Sequence, residues 1–238
     1  MGAALPGYMG AALGLLLVFR NNSAYDKWWE ARKEIGGLVN TARNFVITSN
    51  TVLPFGSNDK NKIGQLVIAF TYALKEHLRD GVKLEELENL EEEDFRSISE
   101  SNHKPNIIIN ILGKKVDAIF RNKEITDLQN YLLLDKMNML IDILGRCERI
   151  KNTPIPKAYV VLLNFFINIY VIVLPLGLIN DLGWWSILLV IILYYILMSI
   201  VLTAEEIEEP FGKDLNDISM DEIAAKIKRD VIELIKKG

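Results

Sequence analysis

The stretch Trp184–Ala204, WWSILLVIILYYILMSIVLTA, decides the fold of this chain. Its 21 residues carry no charge and are mostly Ile, Leu and Val, with two Trp at the start and two Tyr in the middle. At a rise of about 1.5 Å per residue, a helix of this length crosses a hydrocarbon core of about 30 Å. The stretch therefore predicts a transmembrane helix.

A second uncharged stretch lies just before it, from Ala158 to Ile179. Its 22 residues are interrupted only by Asn164 and Asn168, and the tight connector NDLG at 180–183 joins the two stretches. Together they predict a transmembrane hairpin over residues 158–204. The alternative is a buried helical hairpin of a soluble protein, but two successive uncharged runs of more than about 18 residues favour the membrane.

A third apolar block, Gly2–Phe19, begins directly after the initial methionine and is rich in Gly and Ala. Small residues allow helices to approach each other closely. A signal peptide is the competing interpretation, but no basic region precedes the block and Arg20 with a strongly helical sequence follows it. We therefore expect residues 1–19 to form a further transmembrane helix.

The basic residues indicate the orientation. All 27 Lys and Arg lie between Arg20 and Lys157 or after Thr203, and the connector at 180–183 has none. By the positive-inside rule, regions 20–157 and 205–238 are expected to be cytoplasmic. Met1 would then lie across the membrane at the very start of a span, so the pattern predicts a further helix upstream of this sequence.

Composition argues against several function classes. The net charge of -4 offers no basic surface for nucleic acid. The single cysteine, Cys147, has no partner for a disulfide or a zinc site, and we expect an ordinary helix residue there. His77 and His103 have no second His or Cys at ligand spacing, so surface or capping roles are expected. No nucleophile triad, phosphate-binding loop or metalloprotease motif is present, which argues against an enzyme.

The sequence of the expected cytoplasmic region, residues 20–157, predicts helices and almost no strand. The expected helices are 23–51, 60–79, a short acidic piece at 84–96, 106–121 and 126–150. In the last of these, Leu128, Leu132, Met139 and Leu140 mark an apolar stripe that predicts packing into a bundle. The predicted fold class is therefore all-α, with transmembrane helices continuous with a helical cytoplasmic bundle.

The segment FRNNSAYDKWWEAR, from Phe19 to Arg32, concentrates charge and indole rings at the end of the first block. Asp26 and Glu30 lie four residues apart on one helical face, where carboxylates can pair with Lys or Arg. Trp28 and Trp29 suit the membrane interface or helix packing. The simpler interpretation of the segment is an interfacial anchor with internal salt bridges.

This segment resembles the signature that follows the second transmembrane helix of bacterial bestrophins. The stretch CERIKNTPIP at 147–156 resembles a second family motif, and EPFG at 209–212 with Asp214, Asn216 and Asp217 resembles a third, in the same order. The resemblance extends from about Gly10 to the C-terminus and leaves the family's first transmembrane helix unrepresented, as in an N-terminally truncated chain. The signature residues here are Arg20, Asn21, Tyr25, Asp26, Trp28, Trp29, Glu30 and Arg32.

The resemblance implies a bestrophin-like homopentamer in which the family's second helix, here residues 1–19, rings a central pore. The narrow membrane neck would be lined by Tyr8, Ala12 and Leu15, and Ile155 would form the cytoplasmic aperture. A ring of Ile side chains acts as a hydrophobic gate that dewets. Ala12 departs from the larger residues expected at a neck, which implies a wider neck or a register shifted by one residue.

Animal members of this family bind calcium at an acidic cluster after the third motif. Here Lys213 and Leu215 interrupt that cluster, and Asp214 and Asp217 remain as the candidate oxygen ligands. Calcium takes six to eight oxygens, so two carboxylates make a poor site. We expect no metal site, no calcium activation and no cofactor.

The expected function is a passive pentameric channel for small monovalent ions in the bacterial inner membrane, with a multi-pass chain in the lipid bilayer. The family has both anion (chloride) and cation conductors, and the selectivity stays open. The alternative is a non-conducting membrane anchor whose cytoplasmic helices bind a protein partner. A secondary transporter is less favoured because the spans are few and hold no ionisable residue.

Overall fold

The computed structural model describes residues 4–54, 57–79, 81, 83–87 and 89–237. Met1 to Ala3, at the start of the first apolar block, and Gly238, at the end of the C-terminal segment, lie outside these residues. The described part of the chain contains helices and no strand, which confirms the all-α prediction. The α-helices are α1 (Ala4–Val52), α2 (Asn58–Leu78), α3 (Glu92–Ser99), α4 (Lys104–Arg121), α5 (Asp127–Asn152), α6 (Lys157–Leu182), α7 (Trp185–Glu208) and α8 (Met220–Lys237).

Helix α1 is continuous over 49 residues and joins the first apolar block to the signature segment. The polar residues at 21–23 do not interrupt it, and the Ser23 hydroxyl donates to the carbonyl of Phe19 within the helix, at 2.9 Å. This continuity agrees with the predicted fold class, in which the first apolar block continues into the helices of the bundle.

The other predicted helices agree with α2, α4 and α5 within a few residues. The short acidic piece is different, since residues Leu84–Glu86 form a single 3-10 turn and the helix begins only at Glu92. The predicted apolar stripe of α5 is only partly buried. Leu140 is buried, but Leu128, Leu132 and Met139 are 68%, 38% and 40% exposed. The buried face consists of Leu133, Leu140, Ile143, Leu144, Cys147 and Ile150.

The chain divides into two compact units. The first unit comprises residues 1–30, 152–210 and 214–217, and the second comprises residues 31–151, 211–213 and 218–238. The first unit thus holds the start of α1 with α6 and α7. The second holds the remainder of α1 with α2 to α5 and α8.

The core of the first unit is an apolar seam between α1, α6 and α7. It consists of Leu13 and Leu17 from α1, Leu163 and Ile167 from α6, and Leu197 and Val201 from α7. The Tyr159 hydroxyl also donates to the carbonyl of Leu16 at 2.7 Å, which fixes α6 against α1. At the α6–α7 connector Gly183 has φ of +52°, a backbone conformation that other residues rarely adopt.

Two helical stretches of the described residues are long and apolar enough to cross a membrane. One lies in the helical run Asp127–Leu182, which includes α6, and the other is α7, with mean hydropathies of 2.3 and 2.8. Only 17% of each apolar window is buried, and large side chains such as Ile172, Leu176 and Ile191 are exposed. A water-soluble core helix would bury most of such residues, so this exposure favours a lipid or protein environment around the unit.

The second unit is a bundle around α2, which packs against α4 and α8. Ile63, Phe70 and Leu74 of α2 are fully buried, as are Ile108 of α4 and Ile227 of α8. The Lys75 ammonium is 2% exposed and lies 2.8 Å from Asp221 Oδ1, 2.8 Å from Glu86 Oε2 and 3.1 Å from Glu76 Oε1. Burial opposes a charge there, but these hydrogen bonds outweigh it and raise the pKa of Lys75.

Candidate ion pathway and its supporting network

The first turns of α1 present an uncharged face away from the core of their unit. Tyr8 is 77% exposed, Leu15 is 58% exposed, and Ala12 between them is also exposed. The spacing of four and three residues places these side chains on one side of the helix. Leu13 and Leu17 lie on the opposite side in the core. The three residues predicted to line a neck therefore share one open face.

A close helix contact holds this part of α1 against α6. A Cβ atom placed on Gly10 would lie 2.8 Å from the hydroxyl oxygen of Tyr170, a separation shorter than van der Waals contact. Gly14, by contrast, has nothing within 4 Å of such an atom. Among the described glycines of the first block, Gly7, Gly10 and Gly14, close packing against another helix occurs at Gly10.

Ile155, the predicted aperture residue, lies between α5 and α6 and is partly buried. Its backbone N–H donates to Oε1 of Glu208 at 2.7 Å. The other oxygen of that carboxylate accepts from Nη2 of Arg20 at 2.6 Å. Arg20 is 1% exposed, so a buried guanidinium holds Glu208, and Glu208 holds the backbone of Ile155.

The aromatic part of the signature segment forms a stack on one side of α1. Tyr25, Trp28 and Trp29 have ring centroids 6.2 to 6.5 Å apart with small angles between their planes. The indole N–H of Trp28 donates to the carbonyl of Asn216 at 2.9 Å, and the Asn216 amide donates to Glu206 at 2.9 Å. The signature segment is thereby tied to the loop that follows α7.

The polar signature residues differ in their exposure. Asp26 and Arg32 are exposed, and Asn21 and Glu30 are partly buried. Asn21 and Tyr25 line a cavity of about 480 Å³ together with α7 residues including Tyr195 and Thr203. Lys27 has its pKa lowered by burial and by Arg20, although Glu208 and Glu209 act in the opposite direction.

Asp214 and Asp217, the weak metal candidates, close a turn between them. The backbone N–H of Asp214 donates to Oδ2 of Asp217 at 2.7 Å, and the N–H of Asp217 donates to the carbonyl of Asp214 at 3.1 Å. The carboxylate of Asp217 therefore has a structural use within the loop. That Asp214 and Asp217 do not bind a metal stays a prediction.

The structure brings together three residues that sequence reasoning kept apart. His77 and His103 both direct Nε2 at Oε1 of Glu148, at 2.8 Å each. Nδ1 of His103 also accepts from the N–H of Asn106 at 3.4 Å, so the predicted capping role is present as well. The sequence separations of 71 and 45 residues leave no local spacing that could have indicated the cluster.

Comparison with known proteins identifies the family. The family model of the bacterial/fungal bestrophin protein matches residues 3–233. The chain is a member of the bestrophin family. Its similarity to known proteins therefore covers nearly all of the residues from which the site above is built.

Individual relatives agree with this bestrophin assignment. The voltage-dependent anion channel-forming protein sll1024 of Synechocystis is 35% identical over 229 residues, which cover 94% of this chain and 75% of the relative. The voltage-dependent anion channel-forming protein YneE of Escherichia coli strain K12 is 34% identical over 227 residues, 95% of this chain and 74% of the relative. A mutant of a bacterial bestrophin homologue from Klebsiella pneumoniae has a solved structure with a TM-score of 0.92 and 28% identity, covering 98% of this chain and 88% of that one.

The family resemblance of the three sequence motifs is thus confirmed. The bestrophin is a membrane protein, in agreement with the exposed apolar surfaces of α6 and α7.

Proposed function

We propose that this bestrophin is one subunit of a homopentameric ion channel that conducts small monovalent ions passively across the bacterial inner membrane, and that it is not an enzyme. The observation that carries the proposal is the uncharged, exposed face of α1 with Tyr8, Ala12 and Leu15. One copy of that face encloses nothing, whereas a ring of copies would enclose a narrow apolar neck.

The proposed topology follows the segregation of charge along the chain. Residues 1–19 and the hairpin 158–204 span the membrane, and residues 20–157 and 205–238 lie in the cytoplasm. A neck built from the first of these spans holds no fixed charge. Ions would cross it because the apolar surface is short and weakly binding, not because a charged side chain attracts them.

Ile155 is proposed to form the cytoplasmic aperture. The support for this assignment is the fixed position of its backbone, which Glu208 holds from one side while Arg20 holds Glu208. The backbone of an aperture residue needs a fixed position, because a hydrophobic constriction dewets only if its diameter stays small.

The sign of the permeant ion is proposed from the relatives. Two of them carry the description of voltage-dependent anion channel-forming proteins. We accordingly propose that anions such as chloride are the principal permeant ions of this bestrophin. The reversal potential across liposomes under a KCl gradient tests this, since anion and cation conduction shift it in opposite directions.

Oligomeric state gives an independent test of the same proposal. Amine cross-linking of the detergent-purified protein is expected to give a ladder that ends at five subunits. A ladder ending at one or two, together with silent liposomes, would support the non-conducting anchor instead. If the protein is a pentamer but its reversal potential has the sign expected of a cation channel, the channel proposal stands and the anion assignment is wrong.

A further inference from the structure

The two histidines of this chain meet at one carboxylate in the second unit. His77 lies near the end of α2, His103 caps the start of α4, and Glu148 lies near the end of α5. The imidazole rings are 4.5 Å apart between centroids, and both Nε2 atoms lie 2.8 Å from the same oxygen. Three helices thus contribute one side chain each to a single point.

We propose that this cluster, His77 with His103 and Glu148, binds a divalent transition metal ion of the zinc class. The ligand atoms all lie within 4.8 Å of one another, and two imidazoles with one carboxylate are a donor set that zinc prefers and that magnesium or calcium does not. Tetrahedral bonds of about 2.1 Å place ligand atoms about 3.4 Å apart, so binding needs an outward shift of about half an ångström.

Access suits a metal ion, while the charges near the site act in opposite directions. The side chains of His77, His103 and Glu148 are 29%, 36% and 28% exposed, so an ion can enter and a water can occupy the fourth position. Glu148 supplies one negative charge. The ammonium of Lys151 contacts the backbone carbonyl of His77 at 3.1 Å, which places one positive charge beside the site.

Metal binding replaces the two hydrogen bonds that the Nε2 atoms make with Glu148, and it also competes with one weak contact. The N–H of Asn106 donates to Nδ1 of His103 at 3.4 Å, which requires an unprotonated Nδ1. A metal on Nε2 moves the ring proton to Nδ1, so His103 gives up this cap when the ion binds. The bond is long, and its loss costs little compared with a metal–nitrogen bond.

The second convergent group of carboxylates in this unit provides a contrast. Glu76, Glu86 and Asp221 also place their oxygens close together. The ammonium of Lys75 already lies among them at 2.8 to 3.1 Å, so the carboxylates have their cation within the chain. In the histidine cluster the Glu148 carboxylate contacts two imidazoles instead of an ammonium among the described residues, and this cluster is the one that we assign to a metal.

The test is zinc binding by the full chain in detergent after treatment with EDTA. Titration of zinc chloride, followed by calorimetry, is expected to show one ion per subunit. The variants Glu148→Gln, His77→Gln and His103→Asn each remove one ligand, and Asn keeps a side-chain acceptor for the α4 cap. Since loss of an outer partner alone weakens metal binding about 10–100-fold, loss of a ligand should weaken it at least about tenfold.

The matched control is Glu100→Gln, which makes the same chemical change at an exposed surface pair. It should bind zinc as the wild type does. Cobalt chloride should give visible absorption typical of four-coordinate cobalt in the wild type and not in His103→Asn. The proposal is wrong if the wild type binds no zinc, or if the folded ligand variants bind it as tightly as Glu100→Gln. Neither measurement depends on ion conduction.

Discussion

Arg20 is the most deeply buried charge of the candidate pathway. Its Nη2 contacts Glu208, and its Nε and Nη1 find no hydrogen-bond partner among the described residues. Glu208→Ala would leave the guanidinium without its carboxylate, and breaking a buried ion pair costs about 3–5 kcal/mol of folding free energy. A thermal unfolding scan of the detergent-purified protein should therefore show a large fall in Tm.

An exposed pair gives the control for this prediction. Arg96 and Glu100 are 81% and 67% exposed, and exposed pairs contribute about 0–1 kcal/mol. Glu100→Ala should leave Tm almost unchanged. Glu208→Gln keeps an acceptor for the Ile155 N–H and should fall between the two. Equal Tm values for Glu208→Ala and Glu100→Ala would show that the buried pair does not stabilise the fold.

Acid should weaken the second unit through Asp221. Hydrogen bonds from Lys75 and Arg79 lower the pKa of Asp221 from 3.8 to about 2, although partial burial acts in the opposite direction. The unfolded carboxyl binds a proton first as the pH falls, so the stabilisation is present above pH 3.8 and is lost as the pH falls towards 2. Denaturant unfolding, followed by circular dichroism at a series of pH values, measures this loss.

Asp221→Asn should reduce the acid dependence without removing it. Glu91 also has its pKa lowered to about 2, by hydrogen bonds from Lys115 and Lys62, and it titrates in the same range. The variant should be less stable than the wild type at neutral pH and should approach it near pH 2. An unchanged acid slope would mean that Asp221 is not coupled to folding.

At the scale of helices, Gly10 and Gly14 offer the same substitution in two environments. Gly14→Ala meets nothing within 4 Å and gains helix propensity, which stabilises by about 1 kcal/mol. Gly10→Ala places its Cβ against the Tyr170 hydroxyl, and overpacking of this kind costs about 1–3 kcal/mol. Tm should therefore rise for Gly14→Ala and fall for Gly10→Ala.

The double variant Gly10→Ala with Tyr170→Phe separates packing from other causes. Removing the hydroxyl oxygen opens the space that the new methyl group needs, so the double variant should recover much of the lost Tm. If Gly10→Ala is as stable as Gly14→Ala, the α1–α6 contact is looser than the distance indicates.

The helices themselves were largely predictable because their signals are local. Uncharged runs longer than 20 residues indicate α6 and α7 directly, and Pro105 with the residues after it indicates α4. The buried face of α5 was not predictable, because it depends on which neighbours pack there. Leu128 belongs to a regular apolar spacing and is nevertheless 68% exposed.

The contacts of the site depend on residues that are far apart in sequence. Arg20 and Glu208 are separated by 188 residues, and Glu208 lies 53 residues from Ile155. No spacing rule relates such positions in a single sequence. The family resemblance indicated which segments carry function, but only the packing of the helices pairs their side chains.

For the assembled channel, Ile155→Ala tests the proposed aperture. Five smaller side chains would widen and wet the constriction, so single-channel conductance in bilayers should rise or ion discrimination should fall. The neighbouring Thr153→Ala also shortens a side chain in this loop and should leave both unchanged. If Ile155→Ala conducts as the wild type does, Ile155 only packs.

The proposed neck can be tested by thiol accessibility, because the native chain has no readily reactive thiol. Cys147, the single native cysteine, is buried, and burial raises the pKa of its thiol to about 12, so it reacts poorly at neutral pH. Ala12→Cys would place a thiol on the exposed face of α1, whereas Leu13→Cys would place one in the core at a position that is 1% exposed.

A charged, water-soluble methanethiosulfonate reagent should block current through the Ala12→Cys channel and leave the Leu13→Cys channel conducting. A thiol at position 12 that faces lipid would not react, since the charged reagent does not enter the hydrocarbon, and continued current would then exclude Ala12 from the pore.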